Sequence, residues 1–226
     1  MITILMPVYN GIEFIEESVS SVIAQTFIEW DLVIGVNGHE ANSLVYQTAK
    51  QYETRHTNIR VLDLHTIKGK SNALNHMLQY CNHQYVALLD VDDVWMPEKL
   101  EIQSLFLYDP CSNFDYDVVG SRCVYFGDIE NVVPDIRVGD ISKHDFTKAN
   151  PIINSSCVIR KELCHWVENG IEDYDLWLRL RYKNKQTVRF FNCTDVLIKH
   201  RIHKTSAFNN TNHTKVPDLL KEYVHS

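Results

Sequence analysis

Three carboxylates stand within four residues in Asp90-Val91-Asp92-Asp93. Carboxylates this close repel one another unless a positive group lies between them. Hard divalent cations such as Mn²⁺ and Mg²⁺ take such oxygen ligands and leave coordination positions open for phosphate. A metal held there bridges a diphosphate and neutralises its charge as it leaves. The plainer reading is a solvated acidic turn that caps the next helix. The apolar run Tyr85 to Leu89 leads straight into the cluster and favours the metal.

A second acidic pair, Glu172-Asp173, opens a segment that Leu176, Trp177 and Leu180 mark as an amphipathic helix over Glu172 to Tyr182. Acids in a first turn complement the helix dipole, which by itself accounts for them. A carboxylate so placed also serves as a proton acceptor. Trp177, at helical spacing with its apolar neighbours, reads as core. His203 is a lone imidazole, either on the surface or on a metal. Lys68 and Lys70 lie before the third helix, either solvated or near phosphates.

The elements that must position these groups alternate. Thr3 to Val8, Leu32 to Val36, Ile59 to Leu64 and Tyr85 to Leu89 read as strands. Helical patterns separate them: Ile15 to Ile23 behind an Asn10/Glu13 capping box, Ser43 to Tyr52, and Leu74 to Cys81. This order predicts right-handed βαβ units and a mostly parallel α/β sheet flanked by helices. Such sheets bind ligands at the carboxyl ends of their strands. Pro7-Tyr9-Asn10, Asn37-Gly38 and the Asp90 cluster all fall there. The second half is less regular. Pro97 to Tyr108 and Asp218 to Val224 read as helices. Val118 to Phe126, Ser156 to Ile159, Val188 to Phe191 and Val196 to Ile198 read as strands.

A net charge of −7 over 226 residues disfavours nucleic acid as a partner. The six cysteines form no CxxC pair, so reduced thiols are expected rather than zinc ligands or a disulfide framework. No stretch approaches the ~18 apolar residues of a membrane span, and the first residues read as a strand rather than a signal peptide. The expectation is a cytoplasmic protein, ordered throughout except near Asn209 to Thr214.

Met6-Pro7-Val8-Tyr9-Asn10, Leu89 to Pro97 with its Asp90-Val91-Asp92, Glu172 to Leu180, and Arg201-Ile202-His203 occur in an order and spacing that resemble the family 2 glycosyltransferases of the GT-A fold. The resemblance spans nearly the whole chain. It implies one GT-A domain over residues 1–226, with a nucleotide-sugar-binding half (1–97) and a smaller mixed acceptor half (98–226). It implies an inverting, metal-dependent transfer from a nucleoside diphosphate sugar to a glycan, lipid-linked or other hydroxyl acceptor. Pro7 and Tyr9 would line the nucleotide pocket. Asp92 would ligate Mn²⁺ or Mg²⁺, with Asp90 beside it and His203 a further candidate. Lys68 and Lys70 would approach the base or phosphates, and Asp173, with Glu172 as neighbour, would be the base. The family carries an acidic pair before the glycine after strand two, where this chain has Val36-Asn37-Gly38. The Asn37 amide would then contact the nucleotide base without a charge. A UDP-sugar is favoured, with thymidine and guanosine nucleotides open.

Two rivals remain. Leu88 to Val94 also resembles the first motif of haloacid-dehalogenase phosphatases, with Asp90 as nucleophile, Asp92 as acid/base, and Gly139-Asp140 and Asp145 as the later acidic motif. Three strands precede the motif here, which argues against it. A non-catalytic nucleotide-sugar binder is the other. The lack of GxGxxG after strand one argues against a dehydrogenase.

Overall fold

The computed structural model describes residues 1–107, 114–204 and 214–223. Strands β1 (Ile2–Val8), β2 (Trp30–Asn37), β3 (Ile59–Leu64) and β4 (Tyr85–Leu88) lie parallel in the order β3-β2-β1-β4. The sheet continues with strands of the second half. β8 (Val158–Arg160) runs antiparallel to β4 and to β6 (Val118–Gly127). β9 (Phe190–Ile202) runs parallel to β6. Two short strands, β5 (Val94–Trp95) and β7 (Gly139–Asp140), attach antiparallel to β9.

Alternation along the strands builds two cores. Ile2, Ile4, Met6 and Val8 of β1 share one face with Ile15, Val19 and Val22 of helix α1 (Ile15–Ile23), Ala49 of α2 (Leu44–Arg55) and Leu100 of α4 (Lys99–Ser104). Leu5 points the other way, towards Leu74 and Met77 of α3 (Lys70–Met77) and Leu176 and Trp177 of α5 (Glu172–Leu178). The result is helices on both faces of one sheet, the architecture the periodicity predicts. Trp177 is fully buried, as its spacing predicts. Truncating it to alanine would cost about 3–5 kcal/mol.

Several expectations need correction. The Asn10/Glu13 box does not form. Gly11, with φ +86°, caps a short 3-10 turn at Ile12–Phe14, and no side chain caps it. The two strands expected at Val188 to Phe191 and Val196 to Ile198 are one strand, β9. A register shift against β6 between Ser121 and Cys123 absorbs the break in its pattern. The helix from Glu172 ends its α-helical course at Leu178 and continues as a π-helical turn over Arg179–Lys183. The expected helix at Pro97 shortens to α4, and the last helix, α6, covers Val216–Lys221. Tyr108, Val224, Cys111 and residues 209–213 lie outside the described residues. The other five cysteines are buried free thiols.

Pro7 sits inside β1 without loss of pairing. The β1–β4 ladder ends at Leu5, whose carbonyl accepts from Leu89 (3.0 Å), so Pro7 turns its missing N–H to the side that β4 has already left.

Candidate active site

The three motifs at the strand ends meet. β4 runs out at Leu88, and the chain turns through Asp90-Val91-Asp92-Asp93 before β5. Each carboxylate of that turn has a different partner.

Asp90 accepts from Lys70 Nζ (2.6 Å) and, through both oxygens, from Asn154 Nδ2 (3.1 and 3.2 Å). Its backbone N–H donates to Ser155 Oγ (3.0 Å). Burial would raise its pKa, but the Lys70 charge and these hydrogen bonds hold it below the usual carboxylate value. Asp92 Oδ2 lies 2.9 Å from His203 Nε2. Burial, then the charges of Asp93 and Asp90, push its pKa up, and the His203 contact opposes this. Asp93 is fully buried and does not cap the next helix. It accepts from the Arg201 backbone N–H (2.8 Å) and meets His200 Nδ1 (3.0 Å). Burial disfavours charge on His200, but Asp93, with help from Asp90 and Asp92, lifts its pKa to about 9.

Arg201 completes the clamp. Its guanidinium lies between the rings of Phe14 (4.4 Å) and Phe126 (4.1 Å), pairs with Glu17, and donates from Nε to the Asp92 carbonyl (2.8 Å). The end of β9 thus holds the acidic turn at three points.

Lys70 is the first residue of α3 and lies among the carboxylates of Asp90, Glu172 and Asp173. Burial works against its charge, but those three raise its pKa well above the ordinary value. The preceding Gly69, at φ +87°, has no side chain to cap the helix. Glu168 does so instead, accepting from the Ser71 N–H (3.1 Å). Ser71 Oγ donates to the Val167 carbonyl, and Asn75 bonds both backbone groups of Trp166. The loop ahead of α5 is therefore laid along α3, which brings Glu172 and Asp173 to Lys70. Asp173 accepts from Asn150 Nδ2 (3.2 Å). Burial and the neighbouring Glu172 raise its pKa, while Lys70 pulls it down.

On the far side of β1, Tyr9 is exposed beyond the strand, 5.7 Å from His39 between ring centroids. Gly38, at φ +76°, leaves room for the Tyr9 ring where a Cβ would overlap it. Pro7 is buried one turn of pleat earlier. Asn37 is buried and its amide donates to the Gly69 carbonyl (3.4 Å), so it ties β2 to the loop before α3. Lys68 is exposed on that loop, apart from the Lys70 contacts. Asp140 and Asp145 accept from Ser142 and Thr147 of their own loop, which gives the phosphatase reading no support.

Asn154, Ser155, Glu168 and His200 carry much of this geometry and do not stand out in the sequence. Their partners lie 64 or more residues away, so no local spacing marks them. Among the described residues, no group of three or more His, Cys, Asp or Glu side chains is arranged to hold a metal.

Residues 3–167 match the family described as glycosyl transferase family 2. The chain belongs to that family. It is 26% identical over 215 residues to the O-antigen biosynthesis glycosyltransferase WbnJ of Escherichia coli, spanning 91% of this chain and 81% of that protein. It is 27% identical over 214 residues to the UDP-Glc:alpha-D-GlcNAc-diphosphoundecaprenol beta-1,3-glucosyltransferase WfgD of the same organism, spanning 93% and 80%. The fold matches S. aureus TarS in complex with UDP-GlcNAc, with a TM-score of 0.75 at 17% identity over 98% of this chain and 66% of that one. It also matches the mannosyltransferase PcManGT of Pyrobaculum calidifontis in complex with GDP-Man and Mn²⁺, with a TM-score of 0.68 at 16% identity over 91% and 58%. The chain is thus a family 2 glycosyltransferase of GT-A-type fold. Among the described residues no helix is long and apolar enough to cross a membrane.

Proposed function

We propose that the chain moves a sugar from a nucleoside diphosphate sugar, with UDP favoured, to a hydroxyl of a glycan or lipid-linked glycan. The transfer inverts the anomeric centre in one displacement and depends on Mn²⁺ or Mg²⁺. The observation that carries the reading is the convergence of Asp92, His203, Asp90, Lys70 and Asp173 where β1, β4 and β9 end.

Asp92 Oδ2 and His203 Nε2 face each other at 2.9 Å, and a metal ion would take the place of that hydrogen bond. The carboxylate oxygen suits either ion, the imidazole nitrogen suits Mn²⁺ better than Mg²⁺, and the pair leaves most positions for diphosphate oxygens and water. When bound, the ion supplies charge stabilisation for the departing diphosphate. Lys70 is placed to exchange its Asp90 partner for a phosphate oxygen. Tyr9, beyond β1, offers its ring to the nucleotide base, and Asn37 fixes the strand end behind it. Asp173 takes the proton of the acceptor hydroxyl. The acceptor oxygen bonds to the anomeric carbon as the bond to the diphosphate oxygen breaks, and the electron pair leaves with the diphosphate. A pKa lifted above the ordinary carboxylate value makes Asp173 a better base at neutral pH.

The named donors and acceptor of the relatives support this class: UDP-glucose onto a GlcNAc-diphospholipid for WfgD, UDP-GlcNAc for TarS, and GDP-mannose with Mn²⁺ for PcManGT. The five buried free thiols fit a cytoplasmic enzyme. Calorimetry with UDP-, dTDP- and GDP-sugars, with and without Mn²⁺, tests the reading. One donor should bind in a metal-dependent way, and Asp92→Asn should weaken it by more than roughly a hundredfold. Full-strength binding to Asp92→Asn would remove the metal site.

A further inference from the structure

The described part of the molecule holds a second cluster of charge, cationic rather than acidic, at the other end of α5. Residues 179–189 contain Arg179, Arg181, Lys183, Lys185 and Arg189 and no acid, in a chain whose net charge is −7. Arg179 pairs with Asp175 and Lys183 with Glu222, which leaves Arg181 as the cation that faces the loop after β7. The π-helical turn at Arg179–Lys183 lies against the loop after β7. There Arg181 Nε donates to the His144 carbonyl (3.4 Å), and Arg137 Nε donates to His144 Nε2 (3.0 Å). Two guanidinium groups therefore meet at one histidine. Among the described residues no carboxylate pairs with Arg137 or Arg181, nor with the exposed Lys143 beside them. The nearby Asp145 is engaged by Thr147, Tyr182 and, at 3.9 Å, Lys148. Like charges gathered without a counter-charge cost free energy unless an anion joins them. Forked guanidinium donors are suited to phosphate oxygens.

The cluster is tied to the candidate base. Buried Asn192 donates to the carbonyls of both Arg137 (2.8 Å) and Pro151 (2.9 Å), which pins the two loop ends together. Asn150, next to Pro151, is the residue that contacts Asp173. From Asp173 to Arg181 the chain is helical, so the cluster lies roughly 12 Å along that axis from the base. A short glycan with its reacting hydroxyl at Asp173 and a phosphate at its other end spans such a gap.

We propose that Arg137, His144 and Arg181 form an anion site that seats the phosphate or diphosphate of the acceptor, away from the donor's own diphosphate. The site selects acceptors that carry phosphate at the end remote from the reacting hydroxyl. Only the carrier of the anion rests on the transferase reading; the anion site stands on its own geometry.

Calorimetric titration of inorganic pyrophosphate into the metal-free protein, with EDTA present, tests it. The proteins compared are wild type, Arg137→Gln/Arg181→Gln and, as a control for net charge, Lys50→Gln on α2, each checked for a cooperative thermal transition. Wild type and Lys50→Gln should bind alike, and the double variant should bind roughly tenfold or more weakly. If the double variant does not fold, Arg181→Gln alone is used and the same direction is expected. Equal binding by the arginine variant, an equal loss in Lys50→Gln, or no binding by wild type would overturn the proposal. So would retention on phosphatidylglycerol vesicles that the arginine variant loses, without pyrophosphate binding, because a membrane surface would then be the partner. UDP binding with Mn²⁺, measured on the same wild-type protein, reports on the donor site alone. Its failure would count against the transferase reading and leave the pyrophosphate result to be judged separately.

Discussion

Lys70 and Lys99 are both drawn away from water, and their surroundings are opposite. Lys70, 35% exposed, stands at the head of α3 among Asp90, Glu172 and Asp173, which keep it charged. Lys99 is wholly buried in α4. Its amine lies 3.9 Å from the centre of the Trp95 ring and donates to Gln103 Oε1 (2.7 Å). Burial lowers its pKa to about 7, and only the thiols Cys157 and Cys193 oppose this. The pair teaches that burial alone does not set the state of a cation. Lys70 is kept charged where a phosphate would arrive, whereas Lys99 serves the packing beneath β5.

The largest effect comes from the carboxylates around Lys70. Asp173→Asn should lower turnover by about 10²–10⁴-fold and leave donor affinity in place, the signature of a lost base. Steady-state kinetics beside donor calorimetry checks this, and full activity in the variant would show that Asp173 is not the base. Lys70→Met comes next. It leaves Asp90 facing Glu172 and Asp173 without the lysine that lies among them, so donor affinity should fall by roughly 10–100-fold. If donor affinity were unchanged, Lys70 would be a structural counter-charge only.

Lys99→Met is expected to act in the other direction. Removing a buried amine without a carboxylate partner should stabilise the fold by about 1–4 kcal/mol at neutral pH, less the cost of leaving Gln103 Oε1 without its donor. Its pH signature has a definite sign. The folded pKa of about 7 lies below the ordinary 10.5, so the unfolded chain binds more protons between those values. Lys99 therefore makes stability rise with pH across that window. His200 does the reverse. Its pKa is raised from 6.5 to about 9, so its contribution is full below 6.5 and lost as pH climbs through 9. The two slopes oppose each other between pH 7 and 9. Denaturant midpoints measured across that range should change little in wild type and fall in Lys99→Met. A rise in the variant would mean that Lys99 is not the titrating group.

The same contrast marks what the sequence reveals. The head of the site is legible because local rules write it. Strand periodicity carries Asp90 to the end of an apolar run, and Glu172-Asp173 begins a helix whose buried face is set by Leu176 and Trp177. Asp93 was not legible, because its partners His200 and Arg201 lie more than a hundred residues away. β9 reads as two strands in the sequence because the register shift at Ser121 to Cys123 hides its continuity. Asn37 marked a strand end correctly, but its contact with Gly69 depends on where α3 docks. Lys99 carries no local sign of burial, since Gln103, to which its amine donates, is uncharged.

The clamp on the acidic turn also sets a timetable. Asp92 is separated from His203 by 111 residues, and Glu17 from Arg201 by 184. At roughly 5–20 residues per second, a ribosome emits the turn some ten seconds before the segment that neutralises it. Throughout that interval Asp92 and Asp93 have neither His200 nor Arg201 beside them. A chain halted before residue 200 would carry the donor-side strands without their clamp. Donor turnover should therefore switch on late, when β9 closes against β6, rather than growing in step with synthesis.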